Sequence, residues 1–278
     1  MNAVLTPAVP TSTTPASTLK VTQARVLRSE FVKFRSLRST VYTPLTAVAL
    51  MIGIGALFAA VTASQYHTFN AAEQANFDPV GTSLTGVTFA VIAFGVLGVL
   101  MTSGEYGTGM IRSSLTVVPR RLPVLWGKLT VFAGVILSVS LVASFLSFFL
   151  GQALLHSHHL DVSLSAPGAL RSVVGGALYM TVAGLIALAL GALFRNTAAG
   201  ISTFAGVFFV LPILAGLLPA SIADYLNPYL PSNAGGVLYG GTHGLHNALS
   251  PWTGFALLCG YAVVLIAAAA WRLRRTDA

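Results

Sequence analysis

The stretch Leu129–Leu150, "LTVFAGVILSVSLVASFLSFFL", decides the fold class of this chain. It contains no Asp, Glu, Lys, Arg or His. A helix needs about 20 consecutive apolar residues to cross a bilayer, and in lipid its backbone must be satisfied internally. The alternating pattern of a membrane β-barrel strand is absent. The stretch therefore predicts one transmembrane α-helix.

Five more apolar runs of similar length, equally free of ionisable residues, lie elsewhere in the chain. The six predicted spans are about residues 44–63, 84–102, 129–150, 172–194, 197–218 and 252–271. Hydrophobic residues make up 55% and charged residues 8% of the 278 residues, whereas roughly a quarter of a soluble domain is charged. The composition predicts an all-α integral membrane protein, with residues 21–278 as a single transmembrane domain.

Basic residues are concentrated on one side of this six-span chain. Fourteen of the fifteen Lys and Arg residues fall before the first span, in the second and fourth connections, or after the last span, and only Arg171 falls on the other side. Cytoplasmic segments carry such an excess. The pattern predicts a multi-pass cell-membrane protein with both termini in the cytoplasm. It also explains the net charge of +8 without a nucleic-acid partner.

Two segments precede the first span. Residues 1–20 are rich in Pro, Thr and Ser, which predicts a disordered cytoplasmic arm. Residues 21–38 combine apolar positions at helical spacing with basic residues, which predicts an amphipathic helix in the cytoplasmic membrane interface, aromatic side toward lipid. A helix packed on another soluble protein is the alternative. The residues predicted for this surface are Arg28, Phe31, Lys33, Phe34, Arg35 and Arg38.

The second connection, Ser103–Arg121, reads "SGEYGTGMIRSSLTVVPRR". Glycines and a proline interrupt the helical pattern around a short segment with helical potential. Such a connection could act as a stiff lever between a cytoplasmic motor and the flanking spans, or its arginines could anchor to lipid phosphates. The chain has no G-x-x-x-x-G-K-[ST] phosphate loop, so a separate ATPase would have to supply any energy from ATP.

Three stretches resemble the ABC-2 type permeases of ATP-binding-cassette transporters. "SGEYGTGMIRSSLTVVPRR" is similar to their first cytoplasmic connection, which holds a coupling helix that rests on the ATPase. "SEFVKFRSLRSTVYTPL" (residues 29–45) resembles their N-terminal interfacial helix, and "YLPSNAGGVLYG" (residues 229–240) resembles the segment before their last span. With six spans, the resemblance covers nearly the whole chain.

The resemblance implies a permease that binds no cofactor itself. ATP and Mg²⁺ would be bound by two copies of an ABC ATPase, beside a second permease subunit that is by default an identical copy. Glu105 could pair with a basic group of the interfacial helix or of the ATPase, or simply cap a helix N-terminus. The positions implied to bind the ATPase are Glu105, Gly107, Ile111, Arg112, Ser113, Leu115, Pro119 and Arg120.

Small and hydroxylated residues lie inside two predicted spans. Ser140, Ser144 and Ser147 share one face of the third span, and a small-residue stripe runs along residues 183–191 of the fourth. Close helix packing explains both patterns. For the serines, a hydroxyl-lined substrate path is the alternative. The long connection 219–251, predicted to be extracellular and broken by prolines, could cap such a path or be a loop with helical fragments.

All six histidines fall in the predicted outer connections. "HSHH" at residues 156–159 could bind a transition metal, and His243 and His246 could join it. Asp161 is the one nearby carboxylate, so no defined site is complete and no metal is predicted.

Three classes of function remain open. The first is a permease that exports a hydrophobic, lipid-like or drug-like substrate, since no predicted span holds the ionisable residues typical of ion-coupled carriers. The second is a non-transporting membrane assembly or sensing subunit. The third is a membrane enzyme, for which no His–carboxylate or Ser–Lys pairing stands out, so no catalytic residue is predicted.

Overall fold

The computed structural model describes residues 22–36, 38–107, 121–241 and 247–275. Residues 1–20, the predicted disordered arm, lie outside this set. The described residues form helices and turns and no β-strand. The α-helices are α1 (Gln23–Ser36), α2 (Arg38–Gln65), α3 (Ala71–Ala75), α4 (Pro79–Ser83), α5 (Val87–Gly107), α6 (Arg121–His156), α7 (Ala169–Phe194), α8 (Thr197–Ala205), α9 (Leu211–Gly216), α10 (Ala220–Leu226), α11 (Pro231–Gly240) and α12 (Pro251–Arg275). The described residues also form the 3₁₀ turns Tyr66–Thr68 and Asn227–Tyr229 and the π-helical turn Gly206–Val210.

Six of these helical stretches are long and apolar enough to cross a membrane: α2, α5, α6, α7, the stretch Thr197–Gly216 and α12. They lie where the sequence predicts spans, which confirms the all-α, six-span fold class. Several are longer than predicted. The 36 residues of α6 would extend about 54 Å, well beyond a hydrocarbon core of about 30 Å.

The longer helices carry ionisable residues that the predicted spans exclude. Glu105 lies in the last turn of α5, and Lys128 lies in the second turn of α6. The predicted spans 84–102 and 129–150 themselves contain no ionisable residue, but both helices continue beyond these bounds at this end of the bundle. Charged residues can continue an apolar helix where they pair with one another. We call the end that holds Glu105, Lys128 and Arg195 the basic end.

Helices α5 and α7 form the centre of the bundle. Small residues bring their backbones close together. A Cβ atom on Gly98 would lie 2.5 Å from the carbonyl oxygen of Gly184, and one on Gly191 would lie 2.6 Å from that of Val99. The packing interpretation of the stripe at residues 183–191 is thereby confirmed.

Near the opposite end, one buried side chain joins α6 to the segments beside it. The Gln152 amide donates hydrogen bonds to the Pro79 carbonyl and to Ser83 Oγ, each at 3.0 Å. Its oxygen accepts a hydrogen bond from the Val162 backbone N–H at 2.8 Å. Gln152 thus fixes α4 and the α6–α7 connection against α6.

Between α9 and α12 the chain forms α10, the turn Asn227–Tyr229 and α11. Pro231 and Pro251 occupy the first positions of α11 and α12, where a missing backbone N–H costs little. Helix α11 packs against α7 and α12. The extracellular location of residues 219–251 stays a prediction.

Candidate functional site: a buried ion cluster

Helix α1 lies against the start of α6. Its buried residues are Val26, Glu30 and Phe34, which are spaced four residues apart on one face. Gly127 of α6 permits the close approach, because a Cβ atom there would lie 3.0 Å from Val26 Cγ1. The helix therefore packs on the bundle through a face that includes a carboxylate.

The remaining predicted residues of α1 lie around this face. Phe34, predicted on the lipid side, is buried against the bundle, whereas Phe31 is 49% exposed. Arg28 and Arg35 are exposed. The side chain of Arg38 lies outside the described structure. The position of α1 in a membrane interface stays a prediction.

Four charged side chains from three helices meet at the basic end and form what we call the ion cluster. They are Glu30 and Lys33 of α1, Glu105 of α5 and Lys128 of α6. Lys128 Nζ lies 2.6 Å from Glu105 Oε1 and 2.9 Å from Glu30 Oε2. Lys33 Nζ lies 2.8 Å from Glu30 Oε1 and 3.6 Å from Glu105 Oε1. Each lysine thus bridges both glutamates.

Three members of this cluster are buried, so the loss of any one charge would be costly. Glu30 is 2% exposed, Lys128 4% and Glu105 9%. Two carboxylates face two ammonium groups, so the formal charges cancel. A buried pair of this kind adds little net stability relative to apolar residues, but removing one partner leaves a buried charge and costs about 3–5 kcal/mol. The cluster therefore resists separation of α1, α5 and α6.

Lys33 is the most accessible member, with its side chain 32% exposed. Burial by itself lowers the pKa of Lys33, but the hydrogen bond to Glu30 and the charges of Glu105 and Glu30 outweigh that effect and raise it above the usual 10.5. A raised lysine pKa contributes stability at neutral pH, and this contribution is lost only as the pH rises through the folded-state pKa.

Glu105 lies in the last turn of α5, beside its C-terminal carbonyls, so it does not cap the N-terminus of α5. The alternative that it caps the helix predicted after Gly107 stays a prediction. The helix dipole disfavours a negative charge at this end, and Lys33 and Lys128 offset that cost. The predicted pairing with a basic group of the N-terminal helix is present as the Lys33 contact. Glu105 Oε2 is buried without a hydrogen-bond partner among the described residues. Glu105 also lines a cavity of about 30 Å³, which has room for about one water molecule.

Further contacts surround the cluster at the basic end. The Arg195 guanidinium carbon lies 5.0 Å from the centre of the Tyr106 ring. Arg272 of α12 donates a hydrogen bond to a backbone carbonyl at the end of α7. The hydroxyl oxygens of Ser103 and Thr197 lie 2.8 Å apart. The last turn of α5 is therefore tied to the end of α7 and the start of α8 as well as to α1 and α6.

A model of the ABC-2 family transporter proteins matches residues 26–212, more than half of the chain. The match begins in α1, includes all four members of the ion cluster and ends in α9. The chain belongs to the ABC-2 transporter family. This family supplies membrane components of ABC transporters and has no nucleotide-binding domain of its own. A comparison with curated proteins found no match.

The second connection of this ABC-2 permease is described only at its two ends. Gly107 is the last residue of α5, and α6 begins at Arg121. The coupling helix predicted between them lies outside the described residues, as do the positions Ile111, Arg112, Ser113, Leu115, Pro119 and Arg120. Glu105, at the described start of this connection, lies within the ion cluster.

The three serines of the predicted substrate path lie inside the permease. Ser140, Ser144 and Ser147 are each 0% exposed. Ser147 Oγ donates a hydrogen bond to the Ser83 carbonyl at 2.7 Å, whereas the other two hydroxyls have no partner among the described residues. They line neither the small cavity at Glu105 nor the larger cavity described below. The path stays a prediction.

The predicted outer histidines are described in part. His156 Nδ1 lies 3.1 Å from Asp161 Oδ1, and His243 and His246 lie outside the described residues. Within the described ranges, no group of three His, Cys, Asp or Glu side chains is arranged to hold a metal ion.

Sequence reasoning missed two members of the ion cluster, Glu30 and Lys128. A signal was available, since Glu30 and Glu105 are two of only three carboxylates on the side of the chain predicted to be cytoplasmic, the third being Asp277. Two isolated acids among fourteen basic residues could have indicated specific pairing. The identity of their partners depends on how α1 crosses α6.

Proposed function

We propose that this permease forms the transmembrane part of an ATP-driven exporter and that a separate ABC ATPase docks on the connection 103–121. Membership of the ABC-2 family supports an ABC ATPase as partner in general. The observation that supports this docking site is the ion cluster. It lies at the base of this connection and joins both flanking helices to α1.

The cluster suits a part that transmits movement. Glu105 lies at the start of the connection and Lys128 follows its end, so a displacement of the connection acts on both. Because separating buried partners costs several kcal/mol, α1 and the adjoining ends of α5 and α6 move together. Helix α5 is packed along α7, and the movement therefore reaches the centre of the bundle.

The same proposal covers assembly and orientation. Two permease copies and two ATPase copies form the transporter, with ATP and Mg²⁺ bound by the ATPase subunits. The basic end and both termini face the cytoplasm, in keeping with the distribution of Lys and Arg. The cargo is hydrophobic, lipid-like or drug-like, which the absence of Asp, Glu, Lys, Arg and His from the middle parts of the six described spans supports.

Affinity purification from native membranes tests this proposal. The tagged permease is compared with the Arg112→Glu, Arg120→Glu double variant, and ATP hydrolysis is assayed in each eluate. Arg171→Glu is the matched control, because Arg171 is an exposed arginine predicted on the other side of the membrane. We expect a stoichiometric ATPase with the wild type and the control, and its loss with the double variant.

Recovery of the intact wild-type permease without any ATPase, under conditions that preserve complexes, would overturn the proposal. Stimulation of the ATPase by added hydrophobic compounds separates an exporter from a non-transporting assembly or sensing subunit. Only the exporter couples substrate binding to ATP hydrolysis.

A further inference from the structure

A cavity of about 660 Å³ lies toward the end of the bundle opposite the basic end. Its walls come from α4, α5, α7, the π-helical turn, α9 and α11. The volume falls within the range of about 300–1,000 Å³ that is typical of small-molecule sites. The cavity is separate from the ion cluster, and no residue lines both.

Aromatic rings form the apolar part of the wall. Phe208 and Phe209 are consecutive residues of the π-helical turn, and both line the cavity. Tyr179 and Tyr239 stand with ring centres 5.3 Å apart and also line it. Short π-helical turns inside α-helices occur frequently at functional sites. These rings offer a surface suited to a hydrocarbon or aromatic group.

One polar atom in the wall has no hydrogen-bond partner within the described part of the chain. Ser232 Oγ is buried and makes no hydrogen bond to any described residue. Two neighbouring polar groups are already engaged: the Asn233 amide donates to the Asn227 carbonyl at 3.0 Å, and Thr85 Oγ1 donates to the Thr82 carbonyl at 2.9 Å. A buried polar atom without a partner is destabilising, because it has lost its hydrogen bond to water and gained none in return. A ligand with a hydroxyl or carbonyl group would remove that cost.

The described lining residues include no charged side chain. Asp78 approaches the edge, 4.0 Å from where a Cβ atom on Gly241 would lie, but its Oδ1 already accepts the Val80 backbone N–H as the cap of α4. An ion in such a wall would lack the opposite charge that burial requires. The wall therefore favours an uncharged ligand.

We propose that this cavity binds a neutral amphiphile, with its apolar body against Phe208 and Phe209 and its hydroxyl or carbonyl group at Ser232. The binding site itself stands independently of the ATPase. We further propose that this ligand is the exported cargo, and that part rests on the proposed function.

Photolabelling of the purified permease, without ATPase, tests the site. The probe is 1-monolauroylglycerol with a diazirine in its acyl chain, added to phosphatidylcholine nanodiscs, and the labelled peptides are mapped by mass spectrometry. Gly236→Leu fills the cavity, because Gly236 lines it and a Cβ atom there meets nothing within 4 Å. Gly260→Leu is the matched control, since Gly260 is exposed on α12 and equally free of neighbours.

We expect labelling of the peptides around Phe208 and Ser232, reduced at least about tenfold by Gly236→Leu and unchanged by Gly260→Leu. Excess unlabelled 1-monolauroylglycerol should compete, and dodecanoate and dodecyltrimethylammonium should not. If Gly236→Leu does not fold, Ser232→Ala replaces it, and its labelling should also fall.

If the probe labelled lipid-facing helices as strongly as the cavity peptides, and equally in all variants, the proposed binding site would be wrong. If dodecyltrimethylammonium competed better than 1-monolauroylglycerol, the ligand would be a cation recognised by Asp78 and not a neutral amphiphile. Neither result would affect the docking of the ATPase, which is measured separately by co-purification.

Discussion

Lys128 Nζ lies 2.6 Å from Glu105 Oε1, and the pair joins the two helices on either side of the connection 108–120. The same ammonium group contacts Glu30 of α1 at 2.9 Å. One lysine therefore holds together the three helices that meet at the base of the proposed ATPase-docking surface.

Replacing Lys128 should destabilise the permease strongly. Lys128→Met keeps the length of the side chain but leaves two buried carboxylates with only the partly exposed Lys33 as a cation, which should lower the free energy of unfolding by about 3–5 kcal/mol. Lys33→Met is the matched comparison, because Lys33 is partly exposed and screened by water, so its loss should cost clearly less than the loss of Lys128. Unfolding in detergent with increasing SDS measures both. Equal losses would contradict the central role of Lys128.

Exchanging the charges of Glu105 and Lys128 should not restore stability. In the variant Glu105→Lys, Lys128→Glu, the new glutamate would face Glu30 and the new lysine would face Lys33. Like charges at these distances repel. We expect the double exchange to be no more stable than Lys128→Met by the same SDS unfolding assay. Recovery to wild-type stability would show an isolated pair rather than a four-member cluster.

Neutralising Glu105 should weaken coupling without preventing docking. Glu105 is buried in the ion cluster, and Glu105→Gln leaves the rest of the connection 103–121 unchanged, so the ATPase should still co-purify. Its stimulation by the permease should fall at least about fivefold, the lower end of usual coupling energies. Glu73→Gln is the control, since Glu73 is exposed and glutamine also suits its capping box. Full stimulation in Glu105→Gln would contradict the transmission role.

Gln152→Met should loosen the end of the bundle opposite the cluster. The change leaves the Val162 N–H without its acceptor. The Pro79 carbonyl and Ser83 Oγ each lose the Gln152 donor but keep their hydrogen bond to each other at 2.9 Å. Each unsatisfied buried group costs about 1–3 kcal/mol. Hydrogen exchange at Val162 should accelerate accordingly. The exposed Gln74→Met should leave that amide unchanged, and equal exchange in both variants would contradict the assignment.

Gly191→Ala should disturb the contact between α5 and α7. A Cβ atom at this position would lie 2.6 Å from the Val99 carbonyl oxygen, so one backbone must shift. Overpacking of this kind costs about 1–3 kcal/mol. Gly134→Ala meets nothing within 4 Å and should be neutral or stabilising by up to about 1 kcal/mol. Thermal unfolding in detergent distinguishes the two, and similar melting temperatures would show that the interface can relax.

The sequence alone determined the fold class and much of the organisation. Six apolar runs predicted six spans, because hydropathy is a property of contiguous residues and lipid forces each run into a helix. The stretches 103–121, 29–45 and 229–240 indicated the ABC-2 family, which the family match over residues 26–212 supports independently. The small-residue stripe at residues 183–191 also predicted close packing correctly.

Only the tertiary structure decided which charges meet and which surfaces are enclosed. Glu30 and Lys128 are 98 residues apart in sequence, and they pair only because α1 crosses α6 at Gly127. The same packing buries Phe34 and lets α5 and α6 extend past the predicted spans with charged residues. The cavity at Phe208 and Ser232 likewise needs segments from distant parts of the chain. Hydropathy specifies each helix separately, whereas ion pairs and cavities depend on how the helices contact one another.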